Sequence, residues 1–552
     1  MPERVPELLG VGFLYLFLND RPGDLILKSM KKIGLSVILM FLISLQGLAQ
    51  KDMEILWNSR EVGKNLLTGE SVMAKEYTFP ERIHDFQVDT VNDHITIQLR
   101  GLSKNGKWLD NKGKVVRYDP EEKKVLWSKK IAYQLENLEQ TGGVTLHSTG
   151  KKSYSLDNAT GKELWEVKNS LIFADAVDKI GIGYKIQPLK AKENTLEGID
   201  LRNGQPLWQR EISREYGWNE ITYLNDSTLL IGASGLHTVN IFDGTGWDYN
   251  TVTGKKDYTA SAVGTGLGIA AGLLTGTYMV STGHNLVSDV VSNMLVDSAS
   301  IYFASRKDLV RLNRQGDVLW KKSLPDELTS KSMIFKSGDD LVMVNQGYAF
   351  MGYRQLDFGT PFIASFDIKT GDQNYLKEVT AEKKEMIAAV NLKDGELLLL
   401  FKDHVSRFSV EDGQLLQDKK FNAEAVGELK YFVGEQVFVQ KDNLFHSLQN
   451  SDPAKHYLYT GTGKILILDS NFELVETMDT EAKAIYINYF NRDGKRFLAK
   501  ENKTFVIDSE GENLAEFSAS RNAVFLNGKF YDAQDNSFLE IELENLFNKP
   551  LQ

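Results

Sequence analysis

The chain has 552 residues, 42% hydrophobic and 25% charged, a balance that suits globular units with a sizeable core. Its net charge of -11, with no basic run to offset it, argues against nucleic-acid partners, because phosphate contact needs clustered Lys and Arg. There is no cysteine, which excludes disulfides, thiolate metal sites, a cysteine nucleophile and a lipid-modified N-terminal cysteine.

Residues 1–29 carry Glu3, Glu7 and Asp20, which suit a signal poorly, and they read as a start extension ahead of a better start at Met30. From Met30 the chain has the order of a secretory signal: basic Lys31 and Lys32, an apolar run from Ile33 to Leu45, then small Gly47 and Ala49. A signal peptide over 30–49 with cleavage after Ala49 leaves Gln50 as the mature end. The apolar run is short for a membrane anchor. The expected location is therefore periplasmic or outer-membrane-associated, and not that of a lipoprotein.

A degenerate repeat occupies the rest. "EILW" at Glu54–Trp57 looks like a strand start without preceding strands of its own. "VRYDPEEKKVLW" follows with Asp119 and Trp127, then "YSLDNATGKELW" with Asp157, Gly161 and Trp165. "GIDLRNGQPLW" has Asp200, Gly204 and Trp208 at the same spacing, and "YNTVTGKKDY" has Asn250, Gly254 and Tyr258. "VRLNRQGDVLW" is one residue shorter, with Asn313, Gly316 and Trp320. "SFDIKTGDQNY" supplies Asp367, Gly371 and Tyr375, and "RFSVEDGQLLQ" keeps only Gly413. "LILDSNFELVE" and "FVIDSEGENLAEF" are weak copies near the C-terminus.

Each copy reads as an alternating strand that ends at Asp or Asn, a turn in which Gly permits positive φ, and a second strand that starts near an aromatic. The Asp side chain can accept from the turn's amides, and the aromatic can pack its face between neighbouring sheets. Two more short strands precede each turn, as in "GVTLHS" before "KSYSLD". Small antiparallel sheets repeated at this period make a β-propeller. The expectation is an all-β chain over 50–552: a single propeller of four-stranded antiparallel blades, eight in number within a range of seven to ten. The N-terminal strand is expected to complete the last blade.

The Asp-x-x-x-Gly-x-x-x-Trp turn resembles the tryptophan-docking repeat of PQQ-like (quinoprotein-type) β-propellers, over about residues 84–517. The resemblance implies that Trp127, Trp165, Trp208 and Trp320 each pack against the next blade and hold blades together without touching substrate. By the same resemblance the nearest functional model is the propeller subunit of the outer-membrane β-barrel assembly machine. No interface motif carries over, and the missing cysteine excludes that subunit's lipid anchor.

One stretch breaks the pattern. In "GTGLGIAAGLLTG", Gly264, Gly268, Gly272 and Gly276 share one face of a helix. Such a face lets another backbone come close, and it is costly in an isolated helix. The segment reads as an insertion over 259–291 between two blades. Its open roles are packing on the propeller, contact with a partner, a membrane or a second copy through 261–283, or a loop.

Chemistry is not announced. Relatives that carry PQQ use a vicinal cysteine pair, which is impossible here, and no acidic ladder suggests calcium; "DGTGWDYN" at Asp243–Asn250 reads as a long turn. The eight histidines (His84, His94, His147, His237, His284, His404, His446 and His456) form no paired ligand motif and read as surface or strand-end residues. No nucleophile elbow, phosphate loop or dinucleotide fingerprint appears. No catalytic residue, cofactor or metal is therefore expected. The leading reading is an exported non-enzymatic propeller that acts as a protein-interaction scaffold among envelope proteins. The alternative is a ligand-binding or quinoprotein-type oxidoreductase propeller using its axial funnel.

Overall fold

The computed structural model describes residue 53, residues 55–251 and residues 290–543, apart from 105, 107, 134, 135, 150, 151, 187–193, 213–219, 352, 353, 380–384, 394, 450, 451, 453 and 480–484. The signal segment 30–49, the extension 1–29 and the glycines Gly264, Gly268, Gly272 and Gly276 lie outside the described residues. No helix among the described residues is long and apolar enough to cross a membrane.

Among its described residues, unit 55–552 has an all-β architecture apart from one helical turn, Ala423–Val426, and is built of repeated antiparallel sheets in the manner of a multi-bladed propeller. Among the described residues, eight sheets have four strands each. In chain order they span residues 82–132, 136–167, 169–211, 220–250, 295–323, 332–378, 389–420 and 429–479, and are called the first to the eighth sheet below. A hairpin, Tyr348–Met351 with Arg354–Asp357, is set into the sixth. An eleven-stranded sheet holds the remaining strands. It contains the four-strand meander 485–517 and, beyond two N-terminal strands, the C-terminal run 524–542.

Burial follows strand position. The middle strands are covered by neighbouring sheets on both faces, so they are continuously apolar: Thr228–Ala233 reads "TLLIGA" and is buried from Leu229 onward. The last strand of each sheet is an outer edge and alternates; Pro206–Glu211 buries Trp208 alone. The core clusters accordingly run between sheets. Ile182, Tyr184 and Trp208 of the third sheet pack with Leu229, Ile231 and Val239 of the fourth.

The chain ends meet in one sheet. Ser71–Thr78 pairs with Ser537–Glu542, from Ala74 opposite Ile541 to Thr78 opposite Ser537. The sequence drew attention to Glu54–Trp57 as the closing strand; the strand that pairs with the C-terminal run is Ser71–Thr78, and Leu56–Asn65 adds outside it. The reason is burial. Val72, Ala74 and Glu76 alternate inward and Tyr77 is buried beside them, whereas Leu56–Arg60 is exposed throughout.

A second correction concerns Asn250. It is the last residue of strand Asp248–Asn250 in the fourth sheet, not the start of a turn. The turn of that sheet runs from Asn240, whose carbonyl accepts from Gly244 N at 2.9 Å, to Trp247. Gly254 and Tyr258 lie outside the described residues. At the far side of the insertion, Val290 bridges Ser305, and Val290 and Val291 are buried in the fifth sheet's core.

Candidate functional site

The repeat builds one kind of junction many times. Trp127 of the first sheet donates its indole N–H to the carbonyl of Asn158 in the second at 2.9 Å. Trp165 donates to Leu201 O at 3.0 Å, Trp208 to Ile241 O at 2.8 Å and Trp320 to Ile368 O at 3.1 Å. Tyr375 does the same with its hydroxyl, to Val410 O at 2.8 Å. The acceptor in each case follows the residue that opens the next turn: Asp157, Asp200, Asn240, Asp367 or Ser409. The ring then lies over that turn's glycine. A Cβ at Gly161, Gly204 or Gly371 would stand 2.7–2.8 Å from Trp127, Trp165 or Trp320. These glycines also have φ between 67° and 73°, so they answer two demands at once: a left-handed turn and room for an aromatic face. Trp127, Trp208, Trp320 and Tyr375 are buried, while Trp165 is partly exposed.

The turns are tied by their acidic residue. Asp157 Oδ1 accepts from Thr160 N at 2.7 Å and from its hydroxyl at 2.6 Å, and the Thr160 hydroxyl is the main reason that the Asp157 carboxyl lies below its ordinary range. Asp367 accepts from Thr370 N and Lys369 N, and its carboxyl is lowered first by the Thr370 amide. Asp200 accepts from Arg202 N, and Asp119 from Glu121 N and Glu122 N. These carboxylates are used up inside turns and face no common centre.

Two docking residues were missed in the sequence. Trp247 donates to Arg314 O at 3.1 Å and covers Gly316. It stands seven residues after Asn240 instead of eight, the same contraction that separates Asn313 from Trp320, and that signal could have found it. Gln417 occupies the corresponding place in the seventh sheet and donates to Asn471 O, beside Phe472, which takes φ 55° where a glycine would stand.

A further junction departs from the rule, where the closing strands meet the first sheet. The place of the turn glycine, four after Asp119, is held by Lys123 with φ 56°. Its ammonium lies 3.4 Å from the ring centre of Trp57, a cation–π contact with an indole that remains 45% exposed. A cleft of about 510 Å³ opens here, lined by Trp57, Lys123, Lys75, Tyr77, Tyr531 and Glu540 among others. The Glu540 carboxylate is buried and accepts from Lys529 at 2.6 Å and Lys75 at 3.3 Å. Burial, then the Glu540 charge, raises the Tyr77 hydroxyl well above its ordinary range. The cleft thus presents an aromatic surface with a compensated charge cluster, and its neutral tyrosines remain hydrogen-bond donors at physiological pH.

Beside the cleft, Leu56–Glu61 pairs on one side with Met73–Thr78. On the other side only Gly63–Asn65 finds a partner strand, Ala515–Phe517, so among the described residues the first six positions form an open sheet edge. Leu56 is 61% exposed on it. Unpaired amides and carbonyls next to exposed apolar side chains are a template for an added strand.

Comparison with known proteins gives a distant link to one propeller family. Residues 105–274 match the family profile described as outer membrane protein assembly factor BamB. No curated protein matches. Among solved structures, BamB from Moraxella catarrhalis is similar at 13% identity and a TM-score of 0.31, over 68% of this chain and 97% of that one. A eukaryotic initiation factor is similar at 11% identity and a TM-score of 0.32, over 82% and 99%, and the designed protein Ika8 at 12% and 0.27, over 67% and 93%. Likenesses at this level fix neither activity nor partner. The class that the fold defines is a multi-bladed β-propeller, and residues 105–274 give it a distant sequence link to the BamB family.

Proposed function

We propose that the chain is an exported, non-enzymatic propeller that binds another envelope protein, and that the contact is made at the open edge of Leu56–Glu61 beside the Trp57 cleft. The observation that carries the reading is the edge itself: six consecutive strand positions paired on one side, with Leu56 and Trp57 exposed. An extended segment of a partner adds backbone hydrogen bonds along the edge, and the Trp57 indole supplies an apolar anchor. The match of residues 105–274 to the BamB profile supports an envelope setting. The docking junctions support a scaffold role, because their polar groups are spent on one another.

A second reading rests on the cleft. An aromatic small molecule that stacks on Trp57 and accepts from Tyr531 would make the chain a ligand-binding propeller. Envelope purification separates the two. Tagged wild type and the variant Leu56→Lys/Trp57→Ala are captured in parallel from solubilised envelopes. The scaffold reading expects a stoichiometric partner retained by the wild type and lost by the variant, with identical melting of the two chains. A small molecule released from the wild type alone, with no partner, would favour the ligand reading.

A further inference from the structure

The seventh sheet carries a side-chain cluster that neither the repeat nor the proposed contact uses. Its second and third strands are joined by a tight turn in which Phe401 N donates to His404 O at 2.9 Å. The turn presents Asp403 and His404 next to Glu385, which lies on the connection from the sixth sheet. That connection is anchored nearby: Ile387 N donates to Gln346 O of the sixth sheet, and Ala388 N to Leu400 O of the seventh. His404 Nδ1 stands 2.9 Å from Asp403 Oδ1 and 3.5 Å from Glu385 Oε1, and ligand atoms of the three residues lie within 4.8 Å of one another.

We infer that Glu385, Asp403 and His404 form a binding site for a divalent transition metal ion of the zinc class. The donor spacing is the first reason. Ligands about 2.0–2.1 Å from a tetrahedral ion stand about 3.3 Å from each other, which the two measured separations bracket. Calcium takes six to eight oxygens at longer range, and an imidazole with two carboxylates suits zinc, cobalt or manganese better. The second reason lies behind the imidazole. His404 is 6% exposed, and its ring stacks on Phe401 with centroids 4.2 Å apart and planes 8° apart, which fixes where Nδ1 points. Its far nitrogen, Nε2, faces Asp418 Oδ1 at 4.0 Å, and that oxygen is itself held by the Ser406 hydroxyl at 2.7 Å. A carboxylate behind a ligating histidine is the usual outer-shell arrangement, and Nδ1 lies at hydrogen-bond distance from Asp403 in the metal-free chain, so an arriving ion displaces the proton of that contact.

The three protein ligands leave a position open to water. Because Glu385 precedes the seventh sheet and the other two belong to it, the ion ties an inter-sheet connection to a blade edge. The site has no counterpart in the turn repeat and stands apart from the strand edge of the proposed contact.

The test uses the untagged full chain, stripped with chelator and titrated with Zn²⁺ or Co²⁺ alone. One ion per chain is expected, with a visible Co²⁺ absorption of low-coordinate type and a rise in melting temperature that chelator reverses. Asp403→Asn combined with Glu385→Gln changes two partly exposed side chains, and it should weaken binding at least ~10-fold while the metal-free melt stays unchanged. Asp418→Asn, which touches no ion, should weaken it less and shift the Co²⁺ spectrum. Absence of saturable binding below about 1 mM overturns the site. Binding that survives the double substitution also overturns it, since the ion would then sit elsewhere.

Discussion

The indole nitrogen of Trp208 donates to the carbonyl oxygen of Ile241 at 2.8 Å, across the boundary between the third and fourth sheets. The two residues are neighbours because Trp208 lies on an outer strand, Pro206–Glu211, and Ile241 follows the residue that opens the next turn. The same relation recurs from Trp127 to Tyr375, so the contact joins each sheet to its successor without demanding identical sheets.

Trp208→Ala should cost about 3–5 kcal/mol, as for a buried aromatic truncated to Ala. Trp208→Phe keeps most of the ring but loses the N–H, leaving Ile241 O unpaired, and should cost about 1–2 kcal/mol. Trp165→Ala should cost less than Trp208→Ala, because that ring is partly exposed. Urea titration of the three variants orders them. Equal midpoints for Trp208→Ala and wild type would dissolve the docking role.

Gly371→Ala and Gly69→Ala separate two effects. Both glycines have positive φ, 73° and 77°. A Cβ at Gly371 would stand 2.7 Å from the Trp320 ring, whereas one at Gly69 meets nothing within 4 Å. Gly69→Ala should therefore show conformational strain alone, about 1 kcal/mol, and Gly371→Ala that strain plus about 1–3 kcal/mol of overpacking. Thermal melts of the pair should differ clearly; equal losses would mean that the ring yields freely.

His456 gives the stability a pH dependence with a definite sign. Burial first, then Lys393 and Arg407, lower its pKa to about 4 in the folded chain. The unfolded chain titrates near 6.5, so between pH 6.5 and 4 it takes up a proton that the native state refuses. Stability should fall as pH falls through that window, by roughly 2–3 kcal/mol, and this contribution should level off below about pH 4. His456→Phe keeps a ring against Phe472, 4.8 Å away, and should flatten that part of the profile. An unchanged slope in the variant would assign the effect to other groups.

The strands and their sheets were legible because apolar alternation and the Asp157, Gly161 and Trp165 spacing are local signals. Trp247 escaped because one residue fewer separates it from Asn240, and a search at fixed spacing settled on Asn250 instead. The closing strand was misplaced for a different reason: "EILW" resembles an outer strand, but burial of Val72, Ala74 and Tyr77 decides which segment pairs with the C-terminus. The cleft left no trace in sequence, since Trp57, Lys123 and Glu540 meet only on closure. His404 looked like one of eight scattered histidines because Glu385 and Asp418 reach it from a neighbouring connection and strand.

The proposed contact is tested most directly by a photo-crosslinking side chain at Asn58, an exposed position in the middle of the open edge, in living cells. A discrete adduct with one envelope protein is expected from position 58 and none from Lys162, an exposed turn residue of the second sheet. Adducts of equal yield from both positions, or none from position 58 in a chain shown to be exported and folded, would contradict binding at this edge.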